Sequence, residues 1–480
     1  MRVRRIRRRV LQILGLLLLA GIVAGTVLAF TPVTPLSASV PPPQHGPDDP
    51  PLRWLHASPK GIFDDQGRTV LLRGFNVNSL VAFPNDPPAP LDESDARLIQ
   101  QAGFNVVRLG IDWSQIEPIR GRIDTDYLER VQSAVEMFNR HDLYVVLDMH
   151  FRLGWTPKYG TSGAPGWATF PLIPGFDPVP GQSWGPALSP GAVAAQSYFW
   201  VSPDWQRDFY SAWQAVATRF HDNPGVAAYD IFNEPEPAPL PPSIFEKYWM
   251  WPLYKHSIEA IGKVDPNHIF MVEGLLFLTV PTVVVPLEAP NLVYGNHLYV
   301  GSLLPPFWDG DPEPERRFYD RFQHEASRLP APLWIGELGF DLTREHEAVG
   351  WIDASLAQAD DRNLGWAWWQ WRQNRYWGVR DRNGNYLNRT VLRHLARPYV
   401  QSAPAGVQGG RGDGLAGTLD ITVQDSHADT PVVVGWSTLT LTAPRVAGAC
   451  VRSSSWDASL SRLTLGLNPH QGCLIRLIAS

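Results

Sequence analysis

The chain has 480 residues, of which 44% are apolar and 18% charged, and a formal net charge of −6. That length serves one large domain plus a small one, and the composition is ordinary for a globular protein. No basic surplus marks a nucleic-acid partner, so none is expected.

Six Arg lie within Met1–Arg9, and the next 21 residues, Val10–Phe30, carry no charge. A basic region before an apolar stretch is a secretory signal, with the Arg cluster left in the cytoplasm. Val27-Leu28-Ala29 offers a small-residue cleavage site, but the same 21 residues also suffice to span a bilayer as a helix. Residues 1–30 are therefore expected as a signal peptide or a membrane anchor. The remainder is expected to be secreted or held at the extracytoplasmic face. Residues 31–52, rich in Pro and Ser, read as an extended tether.

Between residues 53 and 400 short apolar runs alternate with helix-like stretches. Thr69–Gly74, Asn105–Gly110, Leu143–His150, Val226–Phe232, Ile269–Glu273, Leu292–Asn296, Leu333–Glu337 and Leu364–Trp369 read as eight strands. Asp92–Ala102, Asp126–His141 and Pro203–His221 read as helices, the first capped by Asp92 or Ser94. Apolar strands separated by helices form a parallel sheet. Eight such units over about 350 residues predict a (β/α)8 TIM barrel of α/β class. A doubly wound sheet is the alternative, but no Gly-rich phosphate loop follows the first strand. Lys158–Pro203, rich in Gly, Pro and Trp, is expected as a long loop over the barrel mouth.

Ser402–Gly417, rich in Gly, Pro and Ala, marks a break after the barrel. Short alternating segments from Gly417 to Ile478 predict a small C-terminal β-sandwich at 415–480. Its size calls for packing against the barrel and for a covalent staple. Cys450 and Cys473 are the two cysteines of the chain, and an oxidising compartment would join them in a disulfide. Two buried free thiols are the alternative. No His or Cys pair surrounds them, so no metal site is expected there.

Active-site residues of such a barrel lie at the C-terminal ends of its strands. With that filter the second strand ends at Arg108, the third at Asp148 and His150, and the fourth at Asn233 and Glu234. The sixth ends at His297 and Tyr299, the seventh at Glu337 and the eighth at Trp369. A buried ion pair explains any one of these, but explains the whole set poorly. Glu234 and Glu337 can face each other across the barrel mouth. Glycoside hydrolysis needs such a pair, one carboxyl to protonate the leaving oxygen and one to attack the anomeric carbon. The proton donor needs burial and a neighbouring negative charge to keep its proton near neutral pH. Arg108 would keep the nucleophile ionised, Asn233 would bind a sugar hydroxyl, and His297 and Tyr299 would orient the carboxyls. Trp369 would floor the site, as flat aromatic faces stack on pyranose rings; most of the 20 Trp serve the core. His150 joins the substrate-binding set, and no cofactor is expected.

The barrel resembles glycoside hydrolase family 5. The matching runs are Phe104–Gly110, Asp148–His150, Phe232–Pro235, His297–Tyr299, Ile335–Gly339 and Gly365–Trp369, in order and covering nearly the whole barrel. The resemblance implies retaining chemistry with Glu234 as acid/base and Glu337 as nucleophile. Within that family the chain is similar to the endoglycoceramidases through Gly61–Val70, Trp113–Pro118, Gly163–Trp167 and Tyr229–Pro235, and through the β-sandwich that follows the barrel. Those enzymes cleave the bond between glycan and ceramide. The resemblance implies a glycolipid substrate; membrane contact through the lipid or the N-terminal segment is expected, and so is a monomer. Apolar candidates for lipid access are Ile244–Tyr254 and Leu275–Leu287, with core packing as the plain alternative. One departure stands out. After the strand-three His the family carries Gln-Asp, and that Asp is expected to contact the sugar next to the scissile bond; this chain has Phe151-Arg152. A different glycolipid or another β-glucoside follows from that change.

Two other functions compete. One is the same chemistry on a β-glucan or mannan, which an open cleft lined by exposed Trp would favour. The other is an inactive carbohydrate-binding cell-surface protein, which loss of either Glu would favour, yet both are present. A metal hydrolase fits poorly, because His150 and His297 lack partners at ligand spacing.

Overall fold

The computed structural model describes residues 52–82, 88–170, 189–236, 241–275, 283–373, 376–424 and 430–480. The expected signal or anchor at 1–30 and the tether up to Pro51 lie outside the described residues. None of the described helices is long and apolar enough to cross a membrane.

Eight parallel strands close into a barrel. They are β1 (Arg73–Val77), β2 (Val106–Ile111), β3 (Tyr144–Met149), β4 (Val226–Asp230), β5 (Ile269–Val272), β6 (Leu292–Leu298), β7 (Leu333–Leu338) and β8 (Trp366–Trp368). Each strand pairs with the next, and β8 pairs with β1 to complete the ring. The strands are buried almost end to end, because helices cover the outside and side chains fill the inside. That is why they read as continuous apolar runs.

Helices α1 (Glu93–Gln101), α2 (Thr125–Asn139), α3 (Pro190–Val201), α4 (Pro203–Phe220), α5 (Trp251–Ile261), α6 (Glu313–Arg328) and α7 (Glu345–Asp361) follow in order. Their starts are chemically specified. Asp92 accepts from the Ser94 amide and Asp95 answers from the third helical position, which satisfies amides that have no partner inside the helix. Ser202 caps α4, whose first residue, Pro203, has no amide hydrogen to lose. On α2, Leu128, Val131, Val135 and Phe138 form one buried stripe against the barrel.

Two sheets make the second layer system. One has seven antiparallel strands in the order Leu55–Ser58, Gly61–Asp64, Thr69–Val70, Tyr399–Ala403, Val432–Gly435, Arg462–Leu467, Val451–Asp457. The other has four: Val407–Gly409, Thr418–Val423, Cys473–Ala479, Pro444–Ala447. Leu419, Ile421, Val434, Leu465, Ile475 and Leu477 fill the space between them. Cys450 and Cys473 are joined in a disulfide.

Three expectations change. Thr69–Val70 is not a barrel strand: Val70 pairs with Ser402 in the seven-stranded sheet, and the barrel strand begins at Arg73. The chain crosses from sandwich to barrel within an apolar run that offers no boundary in its sequence. Residues 402–417, read as a break, hold the end of Tyr399–Ala403 and the strand Val407–Gly409. The stretch 158–203 is not all loop, because Ser189 caps the helix α3 and Pro190 opens it; residues 171–188 lie outside the described residues. Of the apolar stretch 244–254, Phe245, Met250, Trp251 and Leu253 turn into the core. Ile244 and Tyr248 stay at the surface, 43% and 59% exposed. Leu275, Val284 and Leu287 are buried, and 276–282 lie outside the described residues.

Candidate active site

The site is built from the C-terminal ends of the barrel strands around one guanidinium. Arg108, inward on β2 and wholly buried, donates from Nε to Asp230 Oδ2 at 2.9 Å and from Nη1 to Glu337 Oε1 at 2.8 Å. Its Nη2 donates to Asn233 Oδ1 at 2.8 Å and to Glu273 Oε1 at 2.9 Å, and lies 3.0 Å from Asp148 Oδ1. Asn76 on β1 accepts from Nη1 at 3.1 Å. Only Arg presents donors in a planar fork able to hold this many acceptors at once. Burial opposes its charge, but Asp148, Asp230, Glu273 and Glu337 outweigh that and hold Arg108 protonated well above its ordinary range.

Glu337 sits at the end of β7. Its Oε2 accepts from the Tyr299 hydroxyl at 2.7 Å. Burial raises its carboxyl above the ordinary range and the negative charge of Glu234 adds to that, against His297 and Arg108. Glu234 follows β4 on a tight turn, in the left-handed region at φ +48°. A non-glycine residue there is strained unless its surroundings hold it. Its backbone amide donates to Glu273 Oε2 at 2.7 Å.

His297, at the end of β6, joins the two. Its Nδ1 is 2.8 Å from Glu234 Oε1 and 3.5 Å from Glu337 Oε2, and its Nε2 is 3.2 Å from Glu273 Oε1. Burial disfavours the imidazolium, but Glu273 and Glu337, with hydrogen bonds to Glu234 and Glu273, push His297 well above the ordinary range. Asp230 is pushed well up by burial and by Glu273.

Acceptor and donor atoms of Glu234, His297 and Glu337 lie within 4.8 Å of one another. The hydrogen bond from His297 to Glu234 and its 3.5 Å approach to Glu337 account for that closeness. One oxygen of each Glu therefore lies close to one of the other. Retaining glycosidases likewise carry their two carboxyls close together, roughly 5–5.5 Å apart.

The binding residues expected from the sequence converge here. His150 hydrogen-bonds Asp148 Oδ2 through Nδ1 at 2.8 Å, and its ring stacks on the half-buried Trp369 at 5.4 Å and 15°. Asn233 donates to the Phe151 carbonyl at 2.8 Å, which leaves its amide a second hydrogen for a sugar hydroxyl. Glu273, Asp230 and Asn76 were not singled out from the sequence, although Glu273 closes the expected strand 269–273.

Two small pockets flank Glu234. The first is lined by Phe151, Arg152, Gln196 and Glu236, among others, and the second by Leu275, Asn296, His297 and Leu304, among others. Gln196 donates to Glu236 Oε2 at 3.0 Å. Burial pushes the Glu236 carboxyl up to about 7, against that hydrogen bond and with the help of Glu234.

Comparison with known proteins agrees with this geometry. The model of the cellulase family, glycosyl hydrolase family 5, matches residues 63–375. Endoglycoceramidase I of Rhodococcus hoagii (strain 103S) is 28% identical over 387 residues, which cover 75% of this chain and 74% of the relative. The structure of endo-glycoceramidase II from Rhodococcus sp. in complex with ganglioside GM3 superposes with a TM-score of 0.74 at 26% identity, covering 88% of this chain and 99% of that one. A crystal structure of an endogalactoceramidase gives 0.70 at 25% identity, covering 89% and 100%. Because the family match spans all eight barrel strands and both central carboxylates, the chain belongs to glycosyl hydrolase family 5 and is a glycoside hydrolase.

Proposed function

We propose that the enzyme cleaves the bond between sugar and lipid in a glycolipid by double displacement, with Glu337 as nucleophile and Glu234 as acid/base. The observation that carries the chemistry is the close pair of carboxyls bridged by His297. In the first step a Glu337 carboxylate oxygen bonds to the anomeric carbon. The bond to the leaving oxygen breaks, and that oxygen takes the proton of Glu234. In the second step a water gives its proton to Glu234 and bonds to the anomeric carbon, and the bond to Glu337 breaks. Arg108 and Tyr299 hold the Glu337 carboxylate in place for attack. Trp369 and His150 form a flat face for the sugar, and Asn233 offers an amide hydrogen to a ring hydroxyl.

The glycolipid reading draws on the activities named for the Rhodococcus relatives and on the ganglioside held by one of them. Leu275 and Leu304 supply apolar wall in the second pocket beside Glu234. Arg152 lines the other pocket, where the family pattern leads one to expect an Asp, and we assign to it a glycan preference different from that of the relatives. We also propose that the enzyme works outside the cytoplasm, secreted or anchored, a placement supported by the disulfide and the N-terminal signal-like sequence.

The test is to incubate the purified enzyme with glucosylceramide, lactosylceramide, a steryl glucoside and a β-glucan. Intact glycan released from ceramide, with loss of the reaction in Glu234→Ala and Glu337→Ala, is the expected result. Turnover of the glucan alone would overturn the glycolipid reading, and full activity in either variant would overturn the mechanism.

A further inference from the structure

We propose that Glu273 is the positioning residue of the acid/base. One oxygen fixes the backbone on which Glu234 is mounted, and the other fixes the imidazole that aims the Glu234 carboxyl. The inference rests on Glu234 acting as acid/base and goes beyond it.

Four contacts carry the argument. Glu273 Oε2 accepts the Glu234 amide at 2.7 Å, and that residue is held in the left-handed region at φ +48°. A strained turn keeps its shape only when neighbours over-determine it, and this hydrogen bond comes from the residue directly after β5. Glu273 Oε1 lies 3.2 Å from His297 Nε2, on the ring edge opposite the Nδ1 that meets Glu234 at 2.8 Å. The same oxygen accepts from Arg108 at 2.9 Å, so Glu273 cannot swing away without stranding a buried guanidinium. The Glu273 amide donates to Tyr254 Oη at 3.1 Å, and that hydroxyl bonds the Phe232 carbonyl at 3.3 Å, tying the ends of β5 and β4 together.

The imidazole is also confined sterically. A Cβ on Gly336 would lie 3.0 Å from His297 Nε2, so the β7 backbone packs against that ring edge. A protonated imidazole carries an N–H on each nitrogen; the one on Nδ1 hydrogen-bonds Glu234, and the one on Nε2 faces Glu273 Oε1 at 3.2 Å. It then offers Glu234 a donor on one side and meets the Glu273 acceptor on the other. The charged and titratable groups facing this pair are Arg108 from β2, Asp148 from β3, Asp230 and Glu234 from the end of β4, Tyr254 from α5, and Tyr299 and Glu337 from the ends of β6 and β7. The isostere Glu273→Gln keeps an oxygen for the Glu234 amide but turns an NH2 toward the donors of His297 and Arg108. The imidazole must then lose its Nε2 proton or move.

A misaimed acid costs most when the leaving oxygen needs a proton. The test compares kcat/KM, which reports the first displacement, on phenyl and 2,4-dinitrophenyl β-lactosides and β-cellobiosides. Glu273→Gln is expected to lose about tenfold or more extra activity on the phenyl glycosides relative to the dinitrophenyl ones, the pattern of impaired general acid catalysis. Equal losses on both would overturn the proposal, because a purely structural role lowers both alike. Glu234→Gln serves as the reference. If it shows the leaving-group dependence and Glu273→Gln does not, only the role of Glu273 fails; if Glu234→Gln does not show it, the acid/base reading fails and this proposal with it. Should Glu273→Gln not fold, the wild-type enzyme decides. Nitrogen NMR of the His297 ring, assigned by loss in His297→Gln, is expected to show both nitrogens protonated through neutral pH, and a neutral ring at pH 7 would overturn the proposal.

Discussion

The hydroxyl of Tyr299 donates to Oε2 of Glu337 at 2.7 Å, and both groups are buried. Tyr299 is thus one of two strong donors on this carboxyl, the other being Arg108. Tyr299→Phe should lower kcat/KM about 10- to 100-fold, the cost of about 1.5–3 kcal/mol for a hydrogen bond to a charged acceptor. Glu337 attacks as a carboxylate, and burial already raises it above the ordinary range, so activity falls as pH drops through that raised value. Losing a donor raises it further. The acid limb of the kcat/KM profile should therefore move to higher pH in Tyr299→Phe, and an unmoved limb would show that the hydroxyl does not stabilise the charge.

Arg108 is a structural as well as a functional centre. Removing it leaves buried carboxyls without their cation, which costs on the order of 3–5 kcal/mol. Arg108→Ala should lower stability by that amount in chemical unfolding. Arg108→Lys should restore much of the stability but not the activity, since an ammonium cannot fork to Asn233 and Glu337 together. Near-normal turnover in Arg108→Lys would mean that charge alone suffices.

Arg152 is exposed on the wall of the pocket it shares with Glu234 and Glu236. Arg152→Asp should change the ratio of kcat/KM for lactosylceramide over glucosylceramide by about tenfold or more. A constant ratio would show that the substrate does not touch residue 152.

Glu315 lies in the first turn of α6, wholly buried. Burial pushes its carboxyl from 4.5 up to about 7, and Asp311 and Asp309 add repulsion. The folded protein thus holds this proton more tightly than the unfolded chain. The stabilisation is full below the ordinary carboxyl value and is lost as pH rises to about 7. Between pH 5 and 8 the wild type should lose about 2 kcal/mol relative to Glu315→Gln, whose side chain stays neutral. Parallel stability curves for the two proteins would contradict this.

Much of the site was legible because a barrel gathers strand ends. His150, Asn233, Glu234, His297, Tyr299, Glu337 and Trp369 lie at or near the ends of apolar runs, Arg108 lies inside one, and the fold brings them together. Asn76 was hidden by register: with the first strand read as Thr69–Gly74, the filter stopped before it. Glu273 did end a strand, but its partners Glu234 and Arg108 are 39 and 165 residues away, so nothing local distinguished it from a surface Glu. The N-terminal strands that enter the sandwich were illegible for the same reason, since Val70 finds its partner only at Ser402.

The central claim is that Glu337 forms the covalent bond to sugar. A 2-deoxy-2-fluoro-β-glycosyl fluoride of glucose or lactose slows hydrolysis of that bond more than its formation. After reaction, digestion and mass spectrometry should place one fluorosugar on the peptide containing Ile335–Gly339, at Glu337. A label on Glu234, or continued turnover of the reagent by Glu337→Gln, would contradict the account.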